Sequence, residues 1–125
     1  MATIKEQYLE QHTEFKPPFQ KEEATIIIQE QSSQPTLDFA LALLPTLGKV
    51  TRITHFRNGQ KVRYYTYVET VAYKLFIYQG LASNYNGEGS HAFQSFLIKV
   101  GIPEEEVSFI TKSNGEDVAV IEIAL

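Results

Sequence analysis

Apolar positions recur along this chain with two different periods, and the period changes from segment to segment. In residues 3–13, Ile4, Tyr8 and Leu9 fall on one side of a helical projection, with Lys5, Glu6 and Glu10 elsewhere. That spacing predicts an opening helix, stopped before Pro17 and Pro18 because proline enforces extended chain at and before its own position. Residues 24–31 hold a β-branched run, Thr25 to Ile28, whose continuous apolar character predicts a strand suited to a central position. From Pro35 the apolar residues sit on nearly every side, which predicts a helix covered on two sides and stopped near Leu44 by Pro45.

Strict alternation returns in 49–57 and 60–69. It flanks Asn58-Gly59, the dipeptide favoured in a two-residue type I′ hairpin turn because both central residues take positive φ. Residues 71–79 are rich in strand formers. The turn-rich stretch 81–90 predicts a loop, with Ser90 placed to cap the helix that follows. Phe93, Phe96, Leu97 and Val100 then recur at i, i+3, i+4 and i+7, the clearest helical stripe in the sequence, and Gly101 with Pro103 ends it. Glu104, Glu105 and Glu106 follow the proline and open a short turn, where carboxylates are favoured. Residues 107–125 predict a second hairpin about Asn114-Gly115, with Lys112 and Asp117 paired across the turn.

This order of elements predicts an α+β fold: one domain, a mixed or antiparallel sheet, and two helices packed on one of its faces. It approaches a ferredoxin-like or split β-α-β plan with extra strands. Residues 1–21 are expected as an N-terminal helical appendage and proline-containing linker within the same unit, and residues 22–125 as the α+β domain. A chain of 125 residues supports one core better than two.

Composition narrows the chemistry. With no cysteine, disulfides, thiolate catalysis and cysteine-based metal sites are excluded. The longest apolar stretch, residues 37–47, contains Asp38 and Pro45 and predicts no membrane span. The polar N-terminal residues and the lack of an Asn-x-Ser/Thr acceptor make a cytoplasmic address the simplest expectation.

Charge is unevenly distributed. Lys49, Arg52, Arg57, Lys61 and Arg63 lie between Asp38 and Glu69 with no intervening acid, whereas the remainder of the chain carries six basic and fifteen acidic residues. A two-residue turn at Asn58-Gly59 would place Phe56 opposite Lys61, Thr54 opposite Arg63, Arg52 opposite Tyr65 and Val50 opposite Tyr67 on one face. His55, Ile53 and Thr51 would lie on the inward face. The cations interleaved with rings make Arg52, Lys61, Arg63, Tyr65 and Tyr67 the candidate partner-binding residues. An ordinary structural role, an Arg52–Tyr65 stack with lysines guarding an edge, accounts for the same pattern.

The leading functional expectation is a small non-catalytic binding or regulatory module acting by protein association, including self-association as a homodimer. The alternative is single-stranded nucleic-acid binding through the basic aromatic hairpin 49–68, where cations meet phosphates and rings stack on bases. That hairpin lacks the glycine of an RNA-recognition strand signature. A third expectation is an enzyme holding a small anion at the 84–91 loop, through Gly87, Gly89, Ser90 and His91 at a helix N-terminus; Glu88 opposes it. No catalytic constellation, metal-ligand spacing or cofactor motif occurs in the sequence: His12, His55 and His91 are far apart, and no nucleophile-elbow motif is present.

Overall fold

The computed structural model describes residues 2–10, 14–29, 31–84, 86–112 and 117–125. Six strands form a single mixed sheet: β1 (Thr3–Tyr8), β2 (Ile26–Gln29), β3 (Val50–Asn58), β4 (Arg63–Thr70), β5 (Lys74–Tyr78) and β6 (Val118–Ala124), in the order β1-β6-β3-β4-β5-β2. All neighbours are antiparallel except β2 and β5. Three helices complete the α+β domain: α1 (Ser33–Leu47), α2 (Glu88–Val100) and the single turn α3 (Glu104–Val107). Among the described residues no helix is long and apolar enough to cross a membrane.

The strand period sorts the sheet into two unlike faces. Ile53, Val68, Leu75, Ile77, Ile121 and Ile123 point to one side and meet Leu37, Ala40 and Leu47 of α1, Phe93, Phe96 and Leu97 of α2, and Val107 of α3. The predicted stripe of α2 is therefore its buried face, and Gly101 closes that helix with φ 119°, as Ile102 N–H returns to Leu97 O at 3.1 Å. The opposite sheet face has none of the three α-helices on it. There the segment before β2 crosses the strands, stacking Phe15 on Phe56 at 4.5 Å and setting Phe19 edge-on to Tyr67 at 5.2 Å.

Several expectations are corrected. Residues 3–8 form a strand rather than a helix: β1 pairs along its whole length with β6, and sheet hydrogen bonds outweigh a weak helical pattern in so short a segment. The strand β2 lies at the sheet's edge and not its centre; its apolar run reflects cover by α1 on one face and proximity to the aromatic face on the other. Helix α1 runs through Pro45 to Leu47 and stops at Gly48, whose φ is 80°. It is buried along one face only, through Thr36, Leu37, Ala40 and Leu47. Ser90 lies inside the first turn of α2, and Gly87 takes the cap position.

The segment expected as the first arm of a second hairpin is helical: α3 passes into a tight turn at Ser108–Thr111. The Asn114-Gly115 reversal lies outside the described residues. Asp117 faces Arg57 and not Lys112.

The basic hairpin itself has a different register. Phe56 pairs with Tyr65, Thr54 with Tyr67, Arg52 with Glu69 and Asn58 with Arg63, so residues 59–62 form the loop. Asn58 still pairs with Val118, and Gly59 N–H donates to Asp117 O at 2.7 Å, so β3 stays bound to β6 past the point where a two-residue turn would begin. Neither Asn58 nor Gly59 takes a positive φ; Val62 does, at 52°. The reversal is fixed by side chains, with Lys61 N–H donating to Asn58 Oδ1 at 3.1 Å and Gln79 Nε2 donating to Val62 O at 2.9 Å. The slip is an even number of residues, so the side chains of residues 52–57 and 63–68 keep their predicted faces, whereas a bulge between Val50 and Arg52 turns Val50 from its predicted open face into the helix-covered core.

Candidate functional site

Two groups of chemistry-bearing side chains emerge, one on each face of the sheet. The open face carries the residues singled out from the hairpin sequence. Tyr65 and Tyr67 stand side by side on β4, two residues apart, and Arg63 precedes them in the same row. The new register separates Arg52 from Arg63 to opposite ends of the hairpin. Arg52 is half exposed and reaches Glu122 at 3.5 Å. Lys61 lies in the loop and lines a cleft of about 740 Å³ with Tyr8, Phe15, Phe56 and Asp117.

Tyr67 is only 6% exposed, sealed by Phe19 and Phe76. Burial, with a smaller contribution from neighbouring Tyr65, pushes its phenol up to about 12. Tyr65 and Tyr78 remain partly open, their centroids 5.3 Å apart, and with Lys21 and Gln29 they floor a depression of about 330 Å³. Tyr78 is a strand residue the hairpin-centred reading left out; alternation within 74–78, which puts Phe76 and Tyr78 on one side, was the available signal.

The helix-covered face holds a buried polar chain that sequence reading missed. His55 is fully buried, its Nδ1 2.9 Å from Thr66 Oγ1 and its Nε2 3.0 Å from Ser83 Oγ. Burial, then the charge of Arg57, pushes the imidazole down to about 3, so it is neutral. Its ring stacks on Phe93 at 4.2 Å. Arg57, 1% exposed, donates to Ser83 Oγ at 3.0 Å. It grips both oxygens of Asp117 at 2.8 and 3.0 Å and places two nitrogens 3.2 Å from Glu6 Oε2. Asn84, held at φ 67°, adds a bond from Nδ2 to Asp117 Oδ1 at 2.9 Å.

Arg57 has no acceptor, so the donors can run from Arg57 to Ser83, from Ser83 to His55, and from His55 to Thr66. A serine donating to a histidine is the opening geometry of nucleophilic catalysis. Here, however, Ser83 is buried with the guanidinium on its oxygen, and His55 is sandwiched by Phe93. The arrangement ties β1, β3, β4, β6 and the 81–84 loop together. Bonded partners within it lie as far as 60 residues apart in sequence, which is why spacing alone gave no signal.

At the start of α2, Gly87 is the cap residue, Gly89 and Ser90 are buried, and exposed His91 sets Nε2 2.7 Å from Asn86 Oδ1. Ser90 Oγ is buried without a hydrogen-bond partner among the described residues. His55 and His91 are not brought together, and His12 lies outside the described residues. Among those described, no group of three metal-ligating side chains converges. No protein-family model, curated protein or solved structure matches this chain.

Proposed function

We propose that this protein is a small non-catalytic binding or regulatory module that acts by protein association through the sheet face that its α-helices leave open. The observation that carries this reading is the row of partly open rings, Tyr65 and Tyr78, beside Lys21 and Gln29, on a face that three helices leave uncovered. Tyrosine and arginine are the residue types enriched where proteins meet, and half-open rings gain most from a partner's cover. Arg63 and Lys61 extend the surface at the hairpin end, and neither has a carboxylate partner among the described residues. A partner with apolar side chains flanked by acids fits this surface.

Affinity capture with the wild type and with Tyr65→Ala/Arg63→Glu tests the reading. The double variant should lose a protein that the wild type retains and that purified components rebind. Identical retention by both overturns it. The nucleic-acid alternative draws on the same rings and cations. It predicts salt-dependent binding of an unstructured oligonucleotide, weakened by Tyr65→Ala, and absence of binding at low salt removes it.

A further inference from the structure

The two outer strands of the sheet are unlike. The outer strand β1, Thr3–Tyr8, carries Lys5 and Glu6, charges of the kind that keep a sheet edge from pairing further. The other outer strand, β2, is Ile-Ile-Ile-Gln and carries no charge at all. Ile27 on it is 40% exposed, and Phe39 on the adjoining helix is 56% exposed. Together with Ile26, Ile28 and Leu43 they line an apolar groove of about 390 Å³ along this edge.

The direction of the free backbone groups follows from the neighbouring ladder. Gln79 N–H donates to Tyr64 O and Thr70 N–H to Tyr73 O, so odd-numbered residues of β5 turn toward β4. Leu75 and Ile77 thus point away from β2. In a parallel ladder the residues opposite them, Ile26 and Ile28, must point their groups inward, which leaves those of Ile27 aimed outward. A strand of this kind pairs with itself when Ile27 N–H and C=O of one copy meet C=O and N–H of Ile27 in another.

We propose that β2 is a self-pairing edge: two copies of this chain join their β2 strands antiparallel, across a two-fold axis at Ile27, into one continuous sheet. Ile26 then lies opposite the second copy's Ile28, and Thr25 opposite its Gln29. Charge favours this direction of pairing. Lys21 Nζ rests on Gln29 Oε1 at 2.9 Å at one end of the strand, and Glu22 and Glu23 precede its other end, Glu23 lying 3.8 Å from Lys74. Antiparallel pairing carries the Lys21 of each copy toward the other's Glu22 and Glu23. An isologous contact of this kind closes after two copies, because the joined edges are used up. The proposal gives the association reading a self-contact on a surface separate from the partner face, so either can fail alone.

Two measurements decide it. Sedimentation from micromolar to millimolar protein should show a reversible dimer for the wild type and for Tyr65→Ala/Arg63→Glu. Ile27→Lys should weaken that dimer about tenfold or more while keeping the circular-dichroism spectrum. The second measurement exploits the lack of cysteine. Directly opposed residues in a hydrogen-bonded antiparallel pair have Cα atoms about 5.5 Å apart, within disulfide reach. Ile27→Cys should therefore form a disulfide-linked dimer under mild oxidation much faster than Gln29→Cys or Lys5→Cys. A wild type that stays monomeric throughout, or equal crosslinking at the three positions, overturns the proposal.

Discussion

His55 shows how burial decides what a titratable side chain can do. In the unfolded chain an imidazole takes up a proton near pH 6.5, whereas in the fold it resists protonation down to about pH 3. The unfolded state therefore binds the extra proton between these values, and stability is complete above about pH 6.5 and lost as pH falls through that window. The limiting slope is about 1.4 kcal/mol per pH unit. Thermal melts from pH 7 to pH 4 should show this decline, and His55→Gln should flatten it. Gly80 is constrained differently: its φ is 87°, and a Cβ there would overlap the Thr36 side chain, which is itself fully buried. Gly80→Ala should cost about 3 kcal/mol in a urea titration, from a left-handed backbone position and overpacking together.

The individual segments show what local pattern can and cannot convey. Alternation placed Arg63, Tyr65 and Tyr67 on one side of β4 and His55 and Ile53 on the other side of β3, because side-chain direction depends only on parity. The turn was misplaced because β6, far away in sequence, holds Asn58 and Gly59 in the ladder. The strand β1 was hidden for the same reason, since its partner arrives at the opposite end of the sequence. The polar chain through Ser83, His55 and Arg57 joins elements that no sequence window contains. Pro45 illustrates tolerance: α1 continues past it although the proline removes one helical hydrogen bond and crowds the preceding turn. Pro45→Ala should raise stability by about 1 kcal/mol, the restored bond being partly offset by a more flexible unfolded chain. A lower melting temperature would show that Leu41 O is better served by its present surroundings.

For the molecule as a whole, the dominant fact is that β6 sits between β1 and β3 and completes both. Arg57 depends on this arrangement, since Glu6 comes from β1 and Asp117 from the approach to β6. Deleting residues 2–9 should leave a buried guanidinium with half its carboxylate cover and bare the β6 edge. The expected outcome is a loss of about 3 kcal/mol or more with aggregation on heating, read by denaturant unfolding and light scattering. A variant that keeps wild-type stability would show that Asp117 and Ser83 alone satisfy Arg57.

Thr3 lies directly across from Ala124 in the β1–β6 pairing. A polypeptide attached before the one and a polypeptide attached after the other would leave from the same corner, as the two stalks of an inserted cassette do. Tension applied between those points would open the ladder one rung at a time, like a zip, rather than loading every rung at once. A host loop could accept the fold with little strain, and a modest force would suffice to begin dismantling it.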